Sequence, residues 1–426
     1  MSAIVLREKN PVVCIQAPEE RESVQPQLIV GLLTGGQDRH YAFGLAMALI
    51  AKDVRLDVIG SDSLDSPEMH NFPKLRFLNL YGNQQETNVL RKIKTTLAFY
   101  VRLIRYAKTA TPRIFHILWN NKFQIFDRTL LMLYYKVLGK KIVFTAHNVN
   151  AGRRDSRDSL LNRLTLECQY RLADHIFVHT EKMKNELLNE FHVSETAVTI
   201  LRYGVNNAVQ DTDLTSVEAK QRLGIGEGEK TILFFGAIKP YKGLEYLVAA
   251  FQQIATTPGE YRLIIAGERK KGSEEYLTTI QQTIDRDRSR EQVIQKIGFI
   301  PDHETELYFK AADVAVLPYT EIFQSGILFL AYRFGLPVIA TDVGSFAEEI
   351  VEGRTGFVCR PRDPDDIAAV IQRYFESALF TGLGYERQRI REYALSRHSW
   401  DAVGELTQNV YLNLLDVGTV AIGKAG

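Results

Sequence analysis

The run from Asp313 to Thr341, DVAVLPYTEIFQSGILFLAYRFGLPVIAT, permits few folds. DVAVLPY is an apolar stretch of strand length that Pro318 ends, and TEIFQSG is a polar loop. ILFLAYRF has helical length and spacing and stops at Gly335-Leu336-Pro337; VIAT is a second strand, and DVGS is its exit turn. Strand, loop, helix, strand is the unit of a parallel α/β sheet, because parallel strands need a crossover between them. Ligands of such sheets bind in the loops beyond the strand carboxyl ends. Ser325 and Gly326 open the helix, where unpaired N–H groups and the positive dipole end favour a phosphate. Glu321 stands just upstream, near where a sugar carried by that phosphate would sit. The plainer reading of the same residues is a buried helix with a small-residue start.

The pattern repeats along the chain. LIVGLLTGG is a strand that breaks into glycines, and YAFGLAMALIAK after it is helical. VRLDVIGSD, KLRFLNL, RIFHILW, KIVFTAH, HIFVHT and AVTIL follow as strands, with helices between most of them, so residues 27–205 form a first α/β domain. Residues 206–229 are polar and rich in turn formers, which predicts an interdomain linker. Alternation restarts with KTILFFG and runs through YRLIIAG, VIQKIGF, DVAVLPY and VIAT to GFVC, giving a second domain over 230–380. Residues 381–426 are expected to return as helices to the first domain. In RHSWDAVGELTQNVYLNLL, Trp400, Val403, Leu406, Val410, Tyr411 and Leu414 form one helical stripe too apolar to leave in water. The first 26 residues are charged and weakly patterned, and predict a flexible leader.

At 426 residues, two domains are the default. A formal net charge of +1 creates no global field to recruit nucleic acid, so no nucleic-acid partner is expected. The three cysteines, Cys14, Cys168 and Cys359, are far apart and match no metal spacing, which fits a reduced, cytoplasmic protein. No apolar stretch reaches membrane-spanning length.

Several strand exits carry polar chemistry. FFGAIKPYKGLEYL leaves a strand at Gly236 and enters a helix after Gly243, with Lys239 and Lys242 in the loop. Two ammonium groups beside a helix start suit a diphosphate; equally, they suit solvated loop positions. IGFIPDHE exits at Phe299-Ile300, where a nucleobase would rest against apolar side chains, and either residue also suits a core. His147 follows a strand and precedes Asn148 and a basic loop, which favours a cleft residue over a satisfied core histidine. Arg39, His40 and Arg202 also lie at strand exits, without assigned roles.

Taken in order, FFGAIKPYKG, IIAGE, IGFIPDHETELYFKAADVAVLPY, SGILFLAYRFGLPVIATDVGSFAEEI and GRTGFV resemble the nucleotide-sugar-dependent glycosyltransferases of family 4 over nearly all of 230–370. More faintly, TGGQDRHYAFGLAMAL resembles the family's glycine loop and following helix, and VFTAHN its strand ending in a cleft histidine. The resemblance implies the GT-B fold: two tandem Rossmann-like, doubly wound domains facing each other across a cleft, with the last helix crossing back. It implies a retaining hexosyl transfer from a nucleoside diphosphate sugar to a glycan or lipid-linked acceptor, in cell-surface or exopolysaccharide synthesis.

Carried over by position, Lys242, with Lys239, would hold the donor diphosphate, and the amides of Ser325, Gly326, Ile327 and Leu328 would cap it. Ile300, beside Phe299, would lie at the base. His147 and Glu321 would face the transferred sugar, and Gly35-Gly36 would let backbone approach the phosphates. No metal or other cofactor is expected. The sequence departs from the family in two motifs, the glutamate pair and the phosphate loop. The family's ribose-binding glutamate falls on Leu330, and its phosphate-loop arginine on Ala237; the first glutamate of its pair falls on Ile322, one residue after Glu321.

The DTD at 211–213 and DRD at 285–287 have metal-binding carboxylate spacing, but lie in a linker and a charged helix and are set aside. The stretch 90–113 has seven basic residues and no acidic one, with apolar residues interleaved; it suits contact with the inner face of an anionic membrane and, equally, an amphipathic domain helix with a solvated basic face. Two other functions fit the pattern: a non-catalytic nucleotide-sugar-binding protein, and a GT-B-like nucleotide-sugar epimerase. The second needs acid and base carboxylates on both cleft faces, and no such set is evident.

Overall fold

Two parallel sheets organise the computed structural model, which describes residues 27–36, 38–82, 89–154, 158–205, 209–257 and 259–415. The expected leader, 1–26, lies outside the described residues. The first sheet is built from β1 (Ile29–Leu33), β2 (Arg55–Gly60), β3 (Leu75–Asn79), β4 (Ile114–Ile117), β5 (Lys141–Thr145), β6 (His175–Val178) and β7 (Val198–Ile200). The second contains β8 (Lys230–Phe235), β9 (Tyr261–Gly267), β10 (Val293–Ile297), β11 (Val314–Leu317), β12 (Val338–Thr341) and β13 (Gly356–Cys359). Their orders are β3-β2-β1-β4-β5-β6-β7 and β10-β9-β8-β11-β12-β13, and every paired strand is parallel. Both sheets are doubly wound, so strand order reverses between β1 and β4 and again between β8 and β11. At such a switch point adjacent loops part and leave a crevice.

Helices cover both faces, which is why β4, β6, β11 and β12 are buried at every position and read as largely apolar runs. His116 interrupts the run in β4. Its Nδ1 lies 2.6 Å from the Tyr411 hydroxyl and its Nε2 2.7 Å from Thr145 Oγ1, so the buried ring is fully paired.

Two domain limits expected from sequence need correction. The 206–229 segment is not a free linker: Val209, Ala219 and Ile225 join the core of the second domain. Its helix Ser216–Arg222 is held by a Thr215/Glu218 capping box, and the buried Lys220 ammonium pairs with Asp313 at 2.9 Å. So few buried apolar positions in a polar stretch leave no periodic signal. The helices after 380 do not all return to the first domain either. Leu383–Arg397 stays on the second, where Ile390 and Ala394 enter the core and Arg387 donates to the carbonyls of Phe334 (3.1 Å) and Ala312 (2.5 Å).

The final helix, Trp400–Leu414, does cross back. It packs along the helix Arg39–Ala51 and buries Val403, Thr407, Val410 and Tyr411, whereas Leu406 of the expected stripe faces solvent. Gly404 makes the close approach possible, since a Cβ there would meet the Ala48 carbonyl oxygen at 2.8 Å. The chain therefore passes between domains twice, and the two passages are tied together. Val205 N–H donates to His398 O (3.1 Å), His398 Nδ1 lies 3.0 Å from Tyr203 O, and the Trp400 indole donates to Val205 O (2.7 Å).

Candidate functional site

In the second domain, the exits of β8 and β11 are joined across the switch point. After β8 the chain turns through Gly236, forms the short 3-10 turn Pro240–Lys242 and enters the helix Leu244–Ile254 at Gly243. Gly243 has φ +64° and lies against the Pro318 carbonyl, so a side chain there is excluded both by conformation and by space. Thr320 N–H donates to Tyr241 O at 2.9 Å, which fixes the β11 loop to the β8 loop. Lys239 Nζ and Lys242 Nζ lie 5.7 Å and 5.5 Å from the Tyr241 ring centre, so both ammonium groups gather around one ring. Lys242 is not the solvated loop lysine of the alternative reading. It is buried, with Nζ 3.8 Å from the Tyr319 ring centre, a cation–π distance.

The β11 loop ends at Ser325, which caps the helix Gly326–Arg333. Its hydroxyl accepts from Ile327 N–H (3.3 Å) and its carbonyl from Leu328 N–H (3.2 Å). The expected set of four ligand-facing amides is corrected accordingly. Leu328 has a bonded amide and a fully buried side chain, and the Ile327 amide is already capped. Gly326 and Ile327 do line the interdomain cavity. Phe299, Ile300, Thr305 and Leu330 line it from the same side, and Asp38, His40, Tyr41 and Tyr203 face them from the first domain. Leu330, where a ribose-binding glutamate was sought, thus faces the cavity as an apolar wall. Asp302, also in the wall, bridges the domains, 3.1 Å from Arg39 and 3.3 Å from His40. The hydrogen bond from His40 holds its carboxyl below the usual range against the opposing effect of burial.

Glu321 lies elsewhere in the cleft. It is exposed in a second opening, facing Arg153, Lys182 and Asn185 of the first domain and sharing no wall residue with the first cavity. Gly35 and Gly36 turn with φ +61° and +68° at the end of β1, and a Cβ on Gly35 would fall 2.5 Å from the Trp119 carbonyl oxygen. They adjoin a small separate recess walled by Ile59, Tyr81, Phe99 and Asn121.

His147 sits behind the cavity in an aromatic cluster. It stacks on Trp119 at 4.0 Å and 3° and meets the edge of Tyr41 at 4.7 Å. Its Nδ1 is 2.9 Å from His179 Nε2, and His179 Nδ1 is 2.7 Å from the Leu201 carbonyl. A carbonyl only accepts, so His179 carries its proton on Nδ1. Burial pushes the His179 pKa down to about 4 and that of His147 well below the usual value, so both are neutral at pH 7. His179 Nε2 must then accept from His147 Nδ1–H, which leaves His147 Nε2 as a bare lone pair; that atom is buried and has no partner among the described residues. A buried acceptor held in one tautomer is suited to a ligand hydroxyl.

Trp119, His179 and Tyr203 were missed from the sequence. A signal existed: Trp119, His147 and His179 stand within two residues of the ends of adjacent strands β4, β5 and β6, so lining up strand exits brings them together. Arg202 is exposed and takes no part in these contacts. One carboxylate of each discounted pair is structural. Asp211 pairs with Lys310 at 3.0 Å, and Asp287 accepts from Ser289 Oγ at 2.6 Å. Among the described residues no group of three or more acidic, His or Cys side chains is placed to hold a metal, and no helix is long and apolar enough to cross a membrane.

Two doubly wound domains joined over a cleft, with the last helix returning to the first, make the GT-B architecture, and the chain is a glycosyltransferase of that class. It belongs to family 4: the model described as Glycosyltransferase Family 4 matches residues 34–209, and that described as Glycosyl transferases group 1 matches residues 216–397. An uncharacterised glycosyltransferase of Methanocaldococcus jannaschii is 28% identical over 237 residues, which span 54% of this chain and 58% of that relative. Sucrose-phosphate synthase from Thermosynechococcus elongatus shares the fold at TM-score 0.73 and 18% identity, covering 92% of this chain and 100% of that one. The HepE protein of Anabaena in complex with UDP-glucose does so at TM-score 0.70 and 15% identity, with 91% and 100% covered.

Proposed function

We propose that the protein transfers a hexosyl group, with retention at the anomeric carbon, from a nucleoside diphosphate sugar to a glycan or lipid-linked acceptor in surface-polysaccharide synthesis. The observation that carries the reading is the tied pair of loops at the β8/β11 switch point, where Lys239 and Lys242 stand beside the start of the Ser325-capped helix. Fixed ammonium groups and a positive helix end stabilise negative charge as it develops on a departing diphosphate. Ile300 and Phe299 provide an apolar rest for the base at the far wall of the cavity. On the facing domain, His147 is the residue assigned to the transferred sugar: its Nε2 is an acceptor without a partner among the described residues, and Tyr41, which its ring meets edge-on, stands between it and the cavity. Glu321, at the open side of the cleft, is the carboxylate assigned to the sugar's acceptor side. The complex of HepE with UDP-glucose supports a donor of this kind. Two lysines and a helix start supply the positive field, so the reading requires no divalent metal. The basic stretch 90–113 supports contact with the inner face of a membrane, where a lipid-linked acceptor would reside.

Thermal-shift titration with UDP, GDP and ADP tests the donor site, because a ligand bound only to the folded state raises its melting temperature. Release of free nucleotide from a panel of sugar donors, with and without acceptor, then tests the reaction. A binding protein releases none, an epimerase returns an altered sugar still attached, and either result overturns the proposal.

A further inference from the structure

One face of the first domain carries an exposed apolar surface that none of the described residues covers. The helix Val89–Thr109, the helical segment 124–137 and the helix Leu160–Leu172 all lie on the same side of the sheet, because their inward residues, among them Leu103, Tyr135 and Leu166, share one core. They are also in mutual contact. Tyr134 OH donates to Ile104 O at 3.2 Å, and Arg128 reaches Asn162 at 2.8 Å. Their outward sides therefore form a single surface.

Each outward side carries an apolar row. On the first helix Leu90, Ile93, Leu97 and Val101 recur at helical spacing and are 48–79% exposed. On the second segment Leu130, Leu133 and Val137 do the same, with Val137 at 78%. On the third, Leu160, Leu161 and Leu164 are exposed, Leu160 at 75%. Exposed apolar residues are normal singly; three adjacent rows on one face mark an interaction surface.

Charge selects the partner. By helical rotation Lys94, Arg105, Arg91 and Arg102 run along one flank of the first row, and that helix carries no acidic residue. A row of aliphatic side chains edged by long cations inserts its apolar part below lipid headgroups while the ammonium and guanidinium ends reach the phosphates. A second copy of the chain fits poorly, because a two-fold contact would bring the cations of both helices together.

We infer that this face docks on an anionic lipid bilayer. Helices of a parallel sheet start at its carboxyl edge, which here is the cleft edge, and the rows of the first and third helices begin in their first turns. The surface thus meets the membrane at the rim of the cleft, and an acceptor anchored in that membrane reaches the site without leaving it. The docking is independent of the proposed transfer; only the link to a lipid-linked acceptor rests on it.

Flotation of the full chain with phosphatidylcholine vesicles, and with vesicles containing about 30 mol % phosphatidylglycerol, tests the docking. The protein should float with the anionic vesicles, several-fold less at about 500 mM salt than at about 50 mM, and little with the neutral ones. Leu97→Ser, Leu133→Ser and Leu164→Ser together should weaken partition at least about tenfold. Lys94→Glu with Arg105→Glu should abolish the preference for anionic lipid. Both variants should keep the parent melting temperature and the nucleotide-induced shift; if the triple variant misfolds, the charge-reversal pair decides. The inference is overturned if the parent does not float, if it floats equally with neutral vesicles, or if the decisive variant floats like the parent. It is also overturned if the parent is a dimer that the triple variant makes monomeric without any vesicle binding. Docking without transfer to a lipid-linked acceptor leaves the docking standing and removes only the acceptor link.

Discussion

Replacing Trp400 by alanine removes an indole wedged between Gly44, in the helix Arg39–Ala51, and Gly204, at the first passage between domains. A Cβ on either glycine would overlap the indole. Truncation of a packed tryptophan costs about 3–5 kcal/mol, and the partial exposure of this one sets the lower end, about 3 kcal/mol, lost bond to Val205 included. Gly44→Ala supplies the opposing probe. A methyl there gains about 1 kcal/mol of helix propensity but must push the indole aside, an overpacking cost of about 1–3 kcal/mol. In the parent protein it should therefore destabilise by up to about 2 kcal/mol. In the Trp400→Ala background the obstruction is gone, and the same change should stabilise by about 1 kcal/mol. Urea unfolding of the parent, both single variants and the double variant, followed by far-ultraviolet circular dichroism, measures the cycle. Gly44→Ala acting with the same sign and size in both backgrounds would show that the indole does not fill this gap, and the account of how the last helix is seated would be wrong.

Lys242→Ala should weaken nucleoside diphosphate binding about ten- to hundredfold by calorimetry, and should also lower the melting temperature because the side chain is buried with its ammonium over the Tyr319 ring. His147→Phe keeps a ring on Trp119 but deletes Nε2, so turnover should fall about tenfold with nucleotide affinity unchanged, in steady-state kinetics set beside binding. Transfer should persist in excess EDTA, with no gain on adding Mg²⁺ or Mn²⁺; loss and metal rescue would return the carboxylate pairs to consideration. Burial pushes the pKa of His116 down to about 3 and those of His175 and His179 to about 4. The unfolded chain then binds protons that the folded one refuses. Stability is full above about pH 6.5 and falls toward pH 4, by up to about 1.4 kcal/mol per pH unit for each ring. Asp127, pushed up to about 6 by burial, works in the opposite direction and offsets one ring below about pH 6. Urea midpoints between pH 7 and pH 5 should decline; a flat profile would contradict the neutral buried rings.

The sheets were legible because both faces of their strands are covered, which writes them as apolar runs such as VAVL and VIAT. The helix Leu383–Arg397 was not, because only Ile390 and Ala394 are buried among its polar residues, and no stripe announces it. On the donor side, Lys239 and Lys242 were readable within the β8 strand–loop–helix unit, and Ser325 within the β11 unit. The histidine relay was not. Its members come from separate strands, and the tautomer of His147 is set by the Leu201 carbonyl through His179, a partner that only the sheet order supplies. The depth of Lys242 was equally invisible, since it depends on Tyr319, which reaches the loop across the β8/β11 pairing.

The return of the last helix also sets an order of assembly during synthesis. His116 in the fourth strand waits for the hydroxyl of Tyr411, and the core around Leu32, Leu45 and Val58 waits for Val403 and Val410. When the first half of the chain emerges from the ribosome, it can lay down its sheet but cannot close this face. The second domain, with its core drawn from between Val205 and Ala394, has all its parts before the final helix appears. The domain translated first is thus the one finished last, and a nascent chain stalled before Trp400 presents one complete domain and one open one.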